Sequence, residues 1–215
     1  MIRRELPVSV DIGSKTYKID ADFRTIMNIE GIIFGKEVTE DQKNFAKEMM
    51  QEVEINEKDA ITNAKYYDAL KIFYKDNIPD DLEEAMEKML WFYSRGKEET
   101  SKTKTKKKVI SFEHDFDYIN AGFMQDYKID LFEVDFLHWW KFMSLFSALH
   151  DDCKICEIIG YRSAELKNFD KEQRKRIREM QKIYALPDEI SKEEKKRQDE
   201  ITQILLNGGD LSGIL

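Results

Sequence analysis

FLHWWKFMSLF, residues 136–146, carries five aromatic side chains and one histidine within eleven positions. Four interpretations are open: a stacking surface for nucleic acid, a catalytic or metal site around His138, a membrane segment, or the middle of a core. The residues that are not apolar between 136 and 149 recur every three positions, at His138, Lys141, Ser144 and Ser147. Because three residues fall short of one helical turn, these positions drift around a helix and leave no wide hydrophilic face. We therefore predict a central core helix of fourteen residues, with His138 as a hydrogen-bonded histidine at the edge of the core.

Charge and length argue against two of these interpretations. The chain of 215 residues has a formal net charge of −8, whereas binding to phosphate groups needs concentrated lysine and arginine. A stacking surface would also interleave cations with the rings, but this stretch has one lysine. No run reaches the roughly 18 consecutive apolar residues of a membrane span, and the N-terminus lacks the apolar stretch of a secretory signal. We expect a cytoplasmic protein that binds neither nucleic acid nor membrane.

No residue pattern indicates a catalytic or metal site. The histidines His114, His138 and His150 are too far apart in sequence to share one helix face, and no phosphate-binding, zinc-binding or nucleophile motif occurs. Cys153 and Cys156 form a single CxxC pair, which cannot complete a tetrahedral zinc site by itself. A redox pair would require a βαβ context, but the flanking sequence is helical, so we expect two ordinary thiols one helical turn apart. The expectation is a protein that is not an enzyme and has no cofactor.

Sequence periodicity predicts a mainly α fold, a multi-helix globular protein with a small N-terminal β-hairpin. Residues 6–20 alternate apolar and polar side chains around Gly13 and Ser14, which is typical of a hairpin turn. Capping residues, and a proline followed by two aspartates, indicate helix starts at Asp20 or Asp22, Thr39, Asn56, Pro79 to Asp81, Ser111 and Ser191.

A lysine-rich segment, KEETSKTKTKKK at residues 97–108, contains six lysines, two glutamates and no apolar residue. It cannot bury surface that would offset its ordering entropy, so a mobile, solvated loop is expected. A polybasic contact for RNA, DNA or an acidic partner is the alternative. We predict an N-terminal hairpin plus helical half at 1–96, a flexible loop at 97–110 and a C-terminal helical half at 111–215, with a single domain built from both halves as the alternative.

Five phrases occur in a distinctive order: LWFYSRGKEE (90–99), SFEHDFDYINAGFMQDYKIDL (111–131), LHWWKFMSLFSAL (137–149), IIGYRSAEL (158–166) and KIYALPDEI (182–190). In order and spacing they resemble the bacteriophage gp-fifteen family, tail-region proteins from siphophages and prophages of Gram-positive bacteria. The first ninety residues are similar to that family in layout. The family usually has glycine where Lys128 stands, so we expect that turn to differ, and CKIC is not a family feature.

The resemblance implies a viral protein of tail assembly. Family members are encoded near the major tail protein and the tape-measure protein, the position typical of tail assembly chaperones. It therefore implies a non-enzymatic chaperone in the host bacterial cytoplasm that binds the tape-measure protein. The major tail protein, a companion tail chaperone or a second copy of the chain are further candidate partners. The alternatives are a structural tail component retained in the virion and a nucleic-acid-binding or regulatory protein using the lysine loop.

The C-terminus supplies the candidate partner-binding residues. Its apolar side chains are Ile201, Ile204, Leu205, Leu206, Leu211, Ile214 and Leu215. Such an element either docks on the protein's own core or binds a partner. Deletion of residues 201–215 separates the two: a large drop in melting temperature indicates docking, and an unchanged melt with lost partner binding indicates a contact site.

Overall fold

The computed structural model describes residues 5–97 and 108–187. These residues form a two-stranded antiparallel sheet, eight α-helices and one 3-10 turn, which confirms the predicted mainly α fold with an N-terminal hairpin. The elements are β1 (Ser9–Ile12), β2 (Lys15–Lys18), α1 (Phe23–Phe34), α2 (Glu40–Glu52), α3 (Glu57–Phe73), α4 (Leu82–Tyr93), α5 (Phe116–Tyr127), α6 (Trp139–Phe146), α7 (Lys154–Ser163) and α8 (Lys171–Ile183), with the 3-10 turn at Leu166–Asn168.

The described residues group into two units. The first unit combines residues 5–97 with 126–149, and the second combines residues 108–125 with 150–187. Residues 126–149, which include α6, thus group with the hairpin and α1 to α4. Most of the lysine-rich segment lies outside the described residues, and the predicted division at 97–110 stays a prediction.

The hairpin has the predicted two-residue turn. Ile12 lies opposite Lys15, so Gly13 and Ser14 connect the strands. Gly13 has φ +56°, a left-handed backbone that glycine adopts without a steric penalty. Its N–H donates to Oε2 of Glu84 at 3.2 Å, which ties the turn to the first turns of α4.

Side-chain caps begin the first four helices at predicted positions. Each cap accepts a hydrogen bond from a backbone N–H of the first turn: Asp22 for α1, Thr39 for α2, Asn56 for α3 and Asp81 for α4. In α2 the side chain of Gln42 also accepts a hydrogen bond from the backbone N–H of Thr39, which confirms the predicted capping box. The predicted cap at Ser191 lies outside the described residues.

Two predicted helix boundaries are wrong. α5 begins at Phe116 and not directly after Ser111, since residues 112–115 form turns in which the Ser111 hydroxyl accepts from the N–H of His114 at 3.4 Å and the N–H of Ser111 donates to Asp115 at 2.9 Å. α6 covers Trp139–Phe146 and not all of residues 136–149. His138, the residue before α6, pairs with Asp22 in an isolated antiparallel bridge and is therefore not helical.

The core of the first unit is aromatic. Trp139 and Phe142 of α6 are 1% and 0% exposed, and the ring of Phe142 stacks on that of Phe23 at 4.9 Å between centroids. The indole N–H groups of Trp139 and Trp140 donate to backbone carbonyls at the end of α4, at 3.0 and 2.8 Å. The core interpretation of FLHWWKFMSLF is therefore confirmed for its central residues. Phe136, which is 53% exposed, departs from it.

The second unit is organised around the guanidinium of Arg162 in α7. It donates to both carboxylate oxygens of Asp115, at 2.6 and 2.9 Å, and these two side chains are 5% and 2% exposed. It also donates to the carbonyls of Tyr184 at 2.6 Å and Val109 at 3.2 Å. One buried cation thus fixes the chain before α5 and the chain after α8.

Candidate functional site

α1 and α6 begin side by side at an antiparallel bridge between Asp22 and His138. Two backbone hydrogen bonds form the bridge: the N–H of Phe23 donates to the carbonyl of Leu137 at 3.0 Å, and the N–H of Trp139 donates to that of Ala21 at 2.8 Å. Asp22 caps α1 and His138 caps α6. We call this pair of caps the twin-cap junction, because one contact between distant segments starts two helices.

His138 is a neutral imidazole that uses both nitrogens. Nδ1 accepts a hydrogen bond from the backbone N–H of Trp140 at 3.0 Å, so the proton lies on Nε2, which donates to the carbonyl of Pro7 at 2.9 Å. Burial lowers the pKa of His138 below its ordinary value, and the hydrogen bond to Pro7 offsets part of that shift. His138 is 4% exposed, which confirms the predicted hydrogen-bonded histidine at the edge of the core.

Asp22 uses both carboxylate oxygens to complete the junction. Oδ1 accepts from the backbone N–H and the Nε of Arg24, at 3.0 and 2.8 Å, and Oδ2 accepts from the backbone N–H of Leu137 at 3.2 Å. Burial alone would raise the pKa of Asp22, but the hydrogen bonds from Arg24 and Leu137 outweigh it and lower the pKa. Arg24 also donates to the carbonyl of Asp135 at 2.9 Å, so the chain before α6 is held at two points.

Three exposed apolar residues are next in sequence to Pro7 or Leu137, whose backbone is bound at the junction, and we call them the junction patch: Leu6, Val8 and Phe136. They are 42%, 57% and 53% exposed. Leu6 and Val8 flank Pro7, whose carbonyl is bound by His138, and the Phe136 ring lies 6.5 Å from the His138 ring between centroids. The hydrogen bonds of the junction fix the backbone that carries them. Exposed apolar side chains on a backbone held by hydrogen bonds make this region a candidate protein contact site.

The residues predicted as a partner-binding site are not among those described. Ile201, Ile204, Leu205, Leu206, Leu211, Ile214 and Leu215 all lie beyond residue 187, so their role stays a prediction. Cys153 directly precedes α7 and is buried, whereas Cys156 is partly buried in its first turn.

The side chains of Asp22 and His138 position the backbone at the starts of α1 and α6. The polar atoms of Asp22 and His138 form hydrogen bonds with backbone groups and with the side chain of Arg24. Over residues 5–97 and 108–187, no group of three or more His, Cys, Asp or Glu side chains could hold a metal ion. None of the helices in those ranges has the length and apolar character to cross a bilayer.

Comparison with known proteins adds one match. A family model described as Bacteriophage Gp15 protein matches residues 44–186. No curated protein and no solved structure matches the chain. The matched region starts within α2 and extends beyond α8, so it includes the His138 side of the twin-cap junction but not the Asp22 side.

Proposed function

The chain belongs to the bacteriophage Gp15 protein family, and on this premise we propose that it is a non-enzymatic tail assembly chaperone that binds the tape-measure protein of a siphophage. Its place of action would be the cytoplasm of the bacterial host. The major tail protein and a companion tail chaperone are further proposed partners. No step in this function requires a cofactor.

The junction patch is the observation that supports this proposal among the described residues. A protein that keeps a long apolar helical protein in solution needs exposed apolar side chains on a frame that is ordered before binding, because ordering a contact surface costs affinity. Leu6, Val8 and Phe136 are about half exposed, and His138 and Asp22 hold their backbone. The net charge of −8 would help to keep a chaperone complex soluble.

The C-terminal residues are the second proposed contact. Ile201, Ile204, Leu205 and Leu206 recur at helical spacing, which is the pattern by which an amphipathic helix binds an apolar groove. The two contacts are separable by experiment, because the junction patch can be altered by substitution and the C-terminus by deletion of residues 201–215.

Co-expression with the tape-measure protein encoded nearby tests the proposal. The wild-type chain is expected to keep that protein soluble and to co-purify with it. Val8→Ser with Phe136→Ser should reduce the recovered complex, whereas Phe34→Ser with Val53→Ser should not. Phe34 and Val53 are a matched control, because they are 65% and 58% exposed and lie outside the junction patch. If the wild-type chain gives no rescue of solubility, the chaperone proposal fails.

Two further measurements separate the alternative functions. Mass spectrometry of purified particles should not detect the protein, and its recovery in stoichiometric amounts would identify a structural tail component instead. A salt-dependent shift of duplex DNA or RNA that disappears when Lys104 and residues 106–108 are replaced would identify a nucleic-acid-binding protein.

A further inference from the structure

α8 presents two different faces. One face packs on its own unit, where the side chain of Gln181 donates to the carbonyls of Tyr161 and Ala164 at 2.9 and 3.1 Å. A second face carries four exposed cations at i, i+4, i+7 and i+11, which we call the basic row: Lys171, Lys175, Arg178 and Lys182. Residues at this spacing lie along one side of a helix.

Two carboxylates, Glu172 and Glu179, lie three or four residues from members of the basic row on the same helix. None of its four side chains forms an ion pair with another described residue. Like charges at i, i+4 repel each other and weaken a helix, as between Lys171 and Lys175. An anionic partner on this face would remove that repulsion.

A complementary row lies on α2 in the first unit. Three exposed carboxylates at i, i+7 and i+11 form what we call the acidic row: Asp41, Glu48 and Glu52. Two of them, Asp41 and Glu48, line a groove between α2 and α3 together with Phe45 and Tyr67. None of the three forms an ion pair with another described residue.

The two rows match in length and spacing. The first and last residues of each row are eleven positions apart, or roughly 16 Å at the rise of an α-helix. The basic row has the same spacing read in either direction, so it can meet the acidic row with the two helices parallel or antiparallel. Glu172 and Glu179 lie beside the basic row and disfavour a phosphate backbone as its partner.

We propose that the basic row of α8 docks on the acidic row of α2 in a second copy of this chain. The two copies contribute different surfaces to such a contact, so the contact is heterologous and generates either a ring or an open chain of copies. Exposed ion pairs are individually weak and are screened by salt, so the assembly should be favoured at low ionic strength. Self-association of this kind does not depend on chaperone activity.

Charge reversal in the full-length chain tests the contact. Sedimentation velocity at low salt should show concentration-dependent association of the wild-type chain, lost when salt is raised. Lys175→Glu with Arg178→Glu should abolish association, and so should Glu48→Lys with Glu52→Lys. A mixture of these two variants should associate again, because the unaltered basic row of the α2 variant can dock on the unaltered acidic row of the α8 variant.

A charge-matched control variant and three contrary outcomes complete the test of this contact. Lys15→Glu with Lys18→Glu changes the net charge as much as the α8 variant does, but at exposed positions on β2, and should leave association unchanged. A wild-type chain that stays monomeric at low salt and high concentration overturns the proposal. So does failure of the mixed variants to associate, or binding of duplex DNA that the α8 variant alone loses.

Discussion

His138 holds two backbone groups at once, so two substitutions separate its contributions. Asparagine at this position keeps an oxygen that can accept the N–H of Trp140, since asparagine is a preferred helix cap. Its side chain is too short to replace the contact with the carbonyl of Pro7. Leucine supplies neither interaction. We therefore expect His138→Leu to destabilise the first unit more than His138→Asn.

The expected magnitudes come from the two hydrogen bonds. Loss of the bond to Pro7 should cost about 1 kcal/mol, rising to about 3 kcal/mol if the carbonyl stays away from water. Loss of the cap on α6 adds about 1 kcal/mol. His138→Asn should therefore lower the free energy of unfolding by about 1–3 kcal/mol, and His138→Leu by about 2–4 kcal/mol.

Urea denaturation followed by tryptophan fluorescence measures this difference. All three tryptophans, Trp91, Trp139 and Trp140, belong to the first unit, so their emission reports on the unit that contains the junction. His114→Asn is the matched control, because His114 is exposed and lies in the second unit. Equal losses for the asparagine and leucine variants, or no loss in either, would refute the twin role of the imidazole.

Other contacts predict equally specific outcomes. Burial keeps the folded-state pKa of His138 below its ordinary value, so the unfolded chain binds the proton first as pH falls. Its contribution to stability should be full above about pH 6.5 and decline below it, and urea midpoints that do not change with pH in this range would contradict this. Asp115→Asn leaves Arg162 buried without its carboxylate and should cost about 3 kcal/mol, measured by near-ultraviolet circular dichroism of tyrosine; an unchanged transition argues against a buried ion pair. Lys128 has a left-handed backbone at φ +57°, which glycine adopts without a steric penalty, so Lys128→Gly should raise the free energy of unfolding by about 1 kcal/mol in the tryptophan assay. A lower free energy of unfolding would show that the lysine is not strained at this position. Iodide should quench the fluorescence of Trp91, which is 42% exposed, and a Trp91→Phe variant should resist quenching. Quenching of that variant would show that the other two indoles are accessible.

Local signals in the sequence are sufficient where the structure depends on neighbouring residues. The cap of Thr39 on α2 involves an amide three residues away, and the Gly13–Ser14 turn joins adjacent strands. A capping motif or a turn pair therefore predicts each of them from a few positions. The same holds for the burial of Trp139, which follows from a segment with few polar residues.

Long-range contacts account for what the sequence did not reveal. The predicted helix over residues 136–149 begins too early because Leu137 hydrogen-bonds to Asp22, which lies 115 residues earlier. Histidine is not a preferred cap, so no local pattern marks His138 as the start of α6. Phe136 belongs to the same apolar run as the buried tryptophans, and its exposure results from the turn of the chain into the junction. The candidate surface therefore becomes visible only when the two distant segments are seen together.

Synthesis on the ribosome gives the twin-cap junction an order in time. Asp22 and its partner Leu137 are separated by 115 residues, so at translation rates of 5–20 residues per second about 6–23 s pass between them. Throughout that interval Phe23 has no Phe142 on which to stack, although its ring is completely buried in the finished fold. A nascent chain that stalls before Phe142 cannot close this core. The core of the first unit can thus close only late in translation, once α6 is available to pack against α1.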